Sequence, residues 1–576
     1  MPILIARPNG VLQQRHDTNG YAAFAAREAH RRAVIFSLAS DGLLRAFDAG
    51  ADDSSDPGTG TELFAYAPRA ALASRNSGGA LSFDDAYLDA PWAPGGDACP
   101  GVASRGASHC QWRTLLAGGF GRAGRSIFVL DVTRPDAAMP RPALPECAPL
   151  AGRDLPAGCA GPYPTVLWEF QDESDQDHDG ALDLASATST PSFGRVRLRN
   201  ARSRSVEEHA VVIFGGGAPD AGAGKRAGGN WLYVVDLESG NTLFKTSFGV
   251  ARTGPEQTNR RRPFAALASP VTALDLDLDG FTDTLYFGDV NGQLWKLVIP
   301  ESEPMLAEYD PSASIGRSSN RIRSGKGAWC PYLLVEGGNS GSSGEMPILN
   351  PPAVVQAGRT GTGEPIYGVI WTSGAHIGGN ARQASSGLLS VFWDVPGPAP
   401  VPLAKDLSAQ TGANAFSRIS SPSAPERGTC RDRGLPRTEG WSLSLNRGER
   451  VASDLLVYEN YIYVATRLNA PVDEAGGSRL YRLDLETGDS CHGPDCCESA
   501  AGAWRSGGGR GRQLPGDLLS TTTPPRIFVT GNGARMLGFV SGTQGAVGAR
   551  GSGETALSLF TIRLPSALAV RSRQER

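Results

Sequence analysis

The 576-residue chain carries 55 basic and 59 acidic side chains, a formal net charge of −4, and so presents no basic footprint for nucleic acid. No apolar run approaches the roughly eighteen residues of a membrane-spanning helix, which argues against an integral helical membrane protein. Glycine (73) and proline (41) are plentiful, as in chains built from short strands and turns.

The opening Met1-Pro-Ile-Leu-Ile-Ala-Arg-Pro8 lacks the basic region, long apolar core and small-residue cleavage site of a signal peptide. An exported chain with this start is a piece of a longer one or leaves by another route. Residues 1–20 read as a lead segment, 21–566 as one β domain and 567–576 as a basic tail. Tyr21 to Arg32 is the best short helical candidate.

Paired apolar strands then recur along the chain. Each leads to Gly or Asp, a turn and a second strand, often ending in Asp. The first pair is Ala33-Val-Ile-Phe-Ser-Leu-Ala-Ser-Asp-Gly-Leu-Leu-Arg-Ala-Phe-Asp48, and the second is Thr114–Gly119 with Arg125–Asp131. Val166-Leu-Trp-Glu-Phe170 reads as an additional strand of a sheet.

An acidic loop follows, Asp175-Gln-Asp177-His-Asp179-Gly180-Ala-Leu-Asp183. The third strand pair is Val211–Gly216 with Asn230–Asp236, and Thr242-Leu-Phe-Lys-Thr-Ser-Phe248 reads as another additional strand. A second acidic loop, Asp275-Leu-Asp277-Leu-Asp279-Gly280-Phe-Thr-Asp283, leads into the fourth pair, Thr284–Leu297. Ile366–Trp371 with Gly387–Asp394, Tyr461–Ala465 with Arg479–Asp484, and Arg526–Gly531 with Leu557–Arg563 complete seven hairpins.

Both acidic loops read D-x-D-x-D-G-x-x-D. Alternate Asp residues converge hard oxygen ligands, Gly at position six permits a sharp turn, and position seven offers a carbonyl. This predicts Ca2+ ligation by Asp175, Asp177, Asp179, Asp183 and the carbonyl of Ala181. The same pattern predicts it for Asp275, Asp277, Asp279, Asp283 and the carbonyl of Phe281. Neither loop is a complete EF-hand: position twelve is Ser186 or Tyr286, where an EF-hand has Glu. The bland alternative is a pair of solvated Asp-rich turns. His178 stands at an even position, so its side chain is expected to point away from an ion.

Seven hairpins predict an all-β, seven-bladed β-propeller with long loop insertions; a pair of β-sandwiches or a β-helix is the alternative. The insertions fall at 51–60, 134–164, 217–229, 338–347 and 500–513 and read as surface loops. Nine cysteines fit an oxidising compartment: Cys99 with Cys110 and Cys147 with Cys159 would staple two polar insertions as disulfides. Cys491, Cys496 and Cys497 cluster near the C-terminus, and zinc ligation lacks any C-x-x-C pair.

With these segments assembled, the chain resembles the C-terminal domain of the PilY family of type IV pilus tip-associated biogenesis proteins. Tyr21-Ala-Ala-Phe24 followed by Ala33–Asp48 is similar to that family's opening blade, with Ser37, Leu38 and Arg45 as departures. Gly60–Pro68, Trp112–Gly121 and Ile127–Thr133 continue the likeness. Leu274–Asp283, followed by Gly288-Asp-Val-Asn-Gly-Gln-Leu-Trp295, is the most specific match. The resemblance covers residues 21 to 300 well and the remainder by repeat pattern. It lacks the N-terminal adhesive region of full-length members.

The resemblance implies calcium at the second loop, a role in pilus extension and retraction with possible surface attachment, and minor pilins or a tip complex as partners. It also implies an extracytoplasmic place at the pilus tip, outer membrane or cell surface, and no enzymatic activity. The first loop is not a family feature and rests on spacing alone.

Two other classes stay open. A quinoprotein-like dehydrogenase is also a propeller and uses calcium with pyrroloquinoline quinone. The adjacent Cys496-Cys497 and the tryptophans Trp168, Trp231 and Trp295 invite that comparison, although regularly repeated tryptophan-docking motifs are not read. A lectin-like binding propeller is the other. The Ala223-Gly-Lys-Arg226 stretch fails as a phosphate loop because Arg226 stands where Ser or Thr should bind magnesium, and no H-E-x-x-H motif exists.

Overall fold

Short apolar runs bounded by Gly and Asp fold as strands throughout the computed structural model. It describes residues 2–8, 20–39, 41–50, 58–67, 80–91, 108–121, 124–135, 164–178, 180–219, 228–253, 258–301, 305–313, 321–323, 329–335, 347–359, 363–374, 387–394, 416–419, 440–445, 449–451, 455–458, 461–468, 478–485, 488, 511–513, 526–530, 533–543 and 555–563. Among the described residues the strands form seven sheets, and the one α-helix is Tyr21–Arg27. The fold is all-β.

Two compact units divide the chain: Met1–Phe287 with Trp295–Tyr332, and Gly288–Leu294 with Leu333–Arg576. In the first unit, the opening sheet runs Ile3–Ile5, Ala33–Leu38, Leu44–Gly50, Glu62–Tyr66, so residues of the lead segment add a strand. The next runs Ala80–Pro91, Ser108–Gly119, Ile127–Asp131, Thr165–Phe170.

The third sheet is ordered Thr242–Thr246, Leu232–Asp236, Val206–Gly215, Ser192–Asn200, Glu308–Tyr309, Ile322–Arg323. A fourth holds Thr258–Pro263, Phe248–Thr253, Tyr332–Val335, Leu294–Val298, Thr284–Gly288 and Thr272–Leu274 in that order. The remaining three sheets are centred on Pro365–Ser373 with Leu388–Asp394, on Tyr461–Leu468 with Ser478–Asp484, and on Gly533–Thr543.

Six of the seven expected hairpins form with the expected partners. The last does not: Gly533–Thr543 lies between Arg526–Thr530 and Thr555–Arg563 and pairs with both. Thr242–Phe248 is not one strand either. Thr242–Thr246 ends the third sheet and Phe248–Thr253 starts pairing in the fourth, so the chain changes sheets at Ser247. Within the expected loop 500–513, Gly511–Gln513 pairs with Arg479–Tyr481. The long strand Ala80–Pro91, missed in the sequence, pairs along its whole length with Ser108–Gly119. Cys110 pairs there with Asp89 through the backbone. Its side chain and the other cysteines of the expected bridges lie outside the described residues, and Cys330 is a free thiol.

Sheets pack on their neighbours through strand side chains. Phe36, Leu44 and Ala46 of the first meet Leu116, Phe128 and Leu130 of the second. On the second sheet's other face, Leu115, Ala117 and Val129 meet Val212, Phe214 and Tyr233 of the third. In the second unit, Leu389, Val391 and Leu443 pack on Ile462, Val464 and Leu483.

Two tryptophans fasten such packings in the same way. Trp168 Nε1 donates to Leu237 O and Trp441 Nε1 to Leu485 O, each at 2.8 Å. Each acceptor follows a strand-ending Asp in an Asp-Leu-Glu-Ser/Thr-Gly turn. Gly240 and Gly488 close those turns at φ 68. The sequence reading, which found no repeated tryptophan docking, is corrected here for these two sites.

Candidate metal centres

Both acidic loops lie in the first unit and fold on one hydrogen-bond frame. The ninth residue's amide donates back to the residue before the motif, Asp183 to Ser174 O at 2.7 Å and Asp283 to Leu274 O at 2.8 Å. The second residue's amide donates to the ninth carboxylate, Gln176 to Asp183 Oδ1 at 3.0 Å and Leu276 to Asp283 Oδ2. Gly180 N–H reaches Asp175 Oδ2 at 3.2 Å, and Gly280 N–H reaches Asp275 Oδ2 at 2.7 Å.

Both glycines are left-handed, at φ 87 and 94, as the sharp turn required. The fourth positions are left-handed too, His178 at φ 57 and Leu278 at φ 65. A non-glycine residue pays about 1–2 kcal/mol for that conformation, so the frame must hold it. His178 is exposed, with Nδ1 2.8 Å from Asp175 O.

The frame gathers one carboxylate oxygen each of Asp175, Asp177 and Asp183 to within 4.8 Å of one another, and does the same for Asp275, Asp277 and Asp283. Oxygens on opposite sides of a calcium ion, each about 2.3–2.6 Å from it, lie roughly 5 Å apart. Both triplets have that span and the hard, oxygen-only donor set of such an ion. They are acidic clusters able to hold a cation. Asp179 lies outside the described residues.

The first loop carries a cation of its own. Lys245 Nζ donates to Asp183 Oδ2 at 2.5 Å, to Asp172 Oδ2 at 2.6 Å and to Ser174 Oγ at 3.1 Å. Burial opposes ionisation of Asp172, but hydrogen bonds from Lys245 and Ser174 outweigh it and hold that carboxyl below the usual range. Tyr233 OH donates to Asp172 Oδ2 at 2.9 Å, and Asn230 Nδ2 to Asp177 Oδ2 at 2.8 Å.

The second loop is the tip of a hairpin in which Leu274 pairs with Thr284. Burial, followed by the charges of Asp277 and Asp275, pushes the Asp283 carboxyl up to about 6 against the lowering effect of the Leu276 and Asp277 amides. Burial and the Asp279 charge also raise Asp275. These carboxylates crowd one another, as a site built for a cation would.

Asp279 stands outside the triplet. Its Oδ2 accepts from Arg197 Nη1 at 3.2 Å. Arg197 also lies 3.7 Å from Glu301 Oε2 and stacks over the buried Phe281 ring, 3.6 Å from its centroid. Burial, with Asp279 and Asp283 beside it, pushes Glu301 up to about 9. Thr282 N–H donates to Arg195 O at 2.7 Å, tying the loop to strand Ser192–Asn200. Sequence reasoning named neither Lys245, Arg197 nor Glu301. Lys245 stands 62 residues from Asp183 and Arg197 stands 82 from Asp279, so no local motif contains them.

No family model matches the chain. Among curated proteins it is 36% identical over 137 residues to a type IV pilus biogenesis factor PilY1 homolog of Xylella fastidiosa, covering 23% of this chain and 10% of that one. To another PilY1 homolog of that bacterium it is 27% identical over 317 residues, 52% of this chain and 16% of the relative. To PilY1 of Pseudomonas aeruginosa it is 25% identical over 389 residues, 65% and 26% respectively. The chain thus spans about a quarter or less of these relatives' length.

The crystal structure of the Pseudomonas aeruginosa PilY1 C-terminal domain aligns with TM-score 0.54 at 17% identity, over 92% of this chain and 97% of that domain, and has the same fold. A quinohemoprotein alcohol dehydrogenase of Pseudomonas putida aligns at TM-score 0.34 and 9% identity, too distant to argue from. Sequence likeness to the named factors and the shared fold make this chain a homologue of the PilY1 type IV pilus biogenesis factors, similar to their C-terminal domain.

Proposed function

We propose that this chain is a calcium-binding, seven-bladed propeller region of a type IV pilus biogenesis factor, with a structural and regulatory role rather than a catalytic one. It would work outside the cytoplasm, at the pilus tip, outer membrane or cell surface, with minor pilins or a tip complex. Seven sheets, with successive ones sharing apolar cores, support the propeller reading. The Asp275, Asp277 and Asp283 triplet carries the calcium reading, because its carboxylates converge within 4.8 Å and Asp283 is pushed up by burial and like charge. Asp279 and the carbonyl of Phe281 would complete the set, Asp279 by exchanging Arg197 for the ion. The ion supplies positive charge that cross-links the carboxylates at the tip of the 272–288 hairpin.

The test introduces Asp279→Ala and Asp283→Asn into the gene in its own cell, with expression checked. The expected outcome is a folded protein, loss of calcium at the second loop, and altered surface pilus number and twitching motility. Ordinary piliation and motility despite demonstrated calcium loss would remove the regulatory role.

A further inference from the structure

The two acidic loops share a backbone frame and a sequence pattern but differ in what neutralises them. We propose that Lys245 is a tethered cation that takes the metal's role in the first loop from within the chain, leaving calcium to the second loop alone. The second half of that statement rests on the calcium reading above; the first does not.

Lys245 stands on Thr242–Thr246, paired in register with Tyr233. Its side chain is 2% exposed and that of Asp183 is 0% exposed, so the pair is sealed from water. The ammonium's three N–H groups meet three acceptors, Asp183 Oδ2, Asp172 Oδ2 and Ser174 Oγ. It also lies 4.5 Å from the centre of the Trp231 ring and 5.2 Å from that of Tyr233, favourable places for a desolvated cation.

Neighbouring side chains finish the neutralisation. Tyr233 and Asn230 donate to Asp172 and Asp177, and Ser174 Oγ sits 2.6 Å from Asp172 Oδ1 and 2.7 Å from Asp183 Oδ2. A calcium ion on Asp183 Oδ2 would stand within about 5 Å of the ammonium, two like charges on one buried oxygen. The second loop has no such occupant. Among the described residues Asp283 accepts only the amides of Leu276 and Asp277, and the nearby guanidinium of Arg197 is engaged with Asp279.

The chain has Lys at only five positions, 225, 245, 296, 326 and 405, and the loop's sequence alone would never single out this one. Buried carboxylates deprived of their counter-charge must find another or protonate. Removing the Lys245 charge therefore vacates the cation position and leaves Asp172, Asp175, Asp177 and Asp183 to recruit one from solution.

Calorimetric titration with calcium, and terbium luminescence excited through tryptophan, count the sites. The wild type is expected to bind one ion, Asp277→Asn none, and Lys245→Met and Lys245→Gln two. Lys245→Met in the Asp277→Asn background should bind one, with strong sensitised emission because Trp231 borders the first loop. If the neutral variants do not fold, Lys245→Arg, which keeps the charge, is expected to stay at one ion, and two ions there would overturn the proposal. Two ions in the wild type, or one in folded Lys245→Met and Lys245→Gln, would also overturn it. No ion in the wild type but one in Lys245→Met would sink calcium at the second loop while upholding the tethered cation.

Discussion

His209 is clamped between two carboxylates in the third sheet. Its Nδ1 lies 3.1 Å from Asp236 Oδ2, its Nε2 3.7 Å from Glu207 Oε2, and its ring meets the edge of Tyr309. Burial alone would lower its pKa, but Asp236 and then Glu207 outweigh burial and raise it to about 9. A histidine raised in the folded state stabilises fully below its unfolded value near 6.5, and that contribution is lost as pH climbs through about 9. The amount at stake is roughly 3 kcal/mol. Urea denaturation is expected to give falling stability between pH 6.5 and 9, and His209→Gln should flatten that slope. An equal slope in the variant would mean that another group is responsible.

The same scale shows where the sequence stopped being informative. Gly180, Gly280 and the outward His178 could be read from position within the motif. Lys245 and Arg197 could not, because a strand residue's contact across a sheet depends on register, and register is fixed only once the sheets assemble.

At the scale of elements, the indole bonds from Trp168 and Trp441 each lock one sheet to its neighbour. Trp168→Phe and Trp441→Phe keep most of the ring but strand a carbonyl, at a cost of about 1–3 kcal/mol each. Lowered melting temperatures in both variants are expected, and unchanged ones would show that apolar packing alone suffices. Gly240→Ala should cost more than either exchange. Its φ is 68 and an added Cβ would come within 2.8 Å of Trp168 Cγ.

Most hairpins were legible because an apolar run, a Gly or Asp turn and a second run form a local signal. The last was mispaired for a physical reason. Gly533-Ala-Arg-Met-Leu-Gly-Phe-Val-Ser-Gly-Thr543 carries three glycines and reads as loop, yet pairs on both edges. The Ser247 break was hidden because Thr242–Thr246 and Phe248–Thr253 are both β-prone, and nothing local tells the chain to change sheets. Gly511–Gln513 is likewise a strand only because Arg479–Tyr481 presents an edge to it.

For the whole molecule, the all-β class and the kinship were legible in ordered motifs, above all Leu274–Asp283 followed by Gly288–Trp295. The central claim is that the second loop holds calcium, and calorimetric titration with parallel thermal melting of the intact chain tests it most directly. Without the twelfth-position Glu, affinity should fall near 10⁻⁵ to 10⁻³ M, as for extracellular modules. Calcium at about a hundred times the dissociation constant should add about 2.7 kcal/mol of stability. Both the heat and the rise in melting temperature should vanish in Asp277→Asn/Asp283→Asn. Absence of heat and of any melting shift in the wild type, or persistence of both in that double variant, would contradict the account.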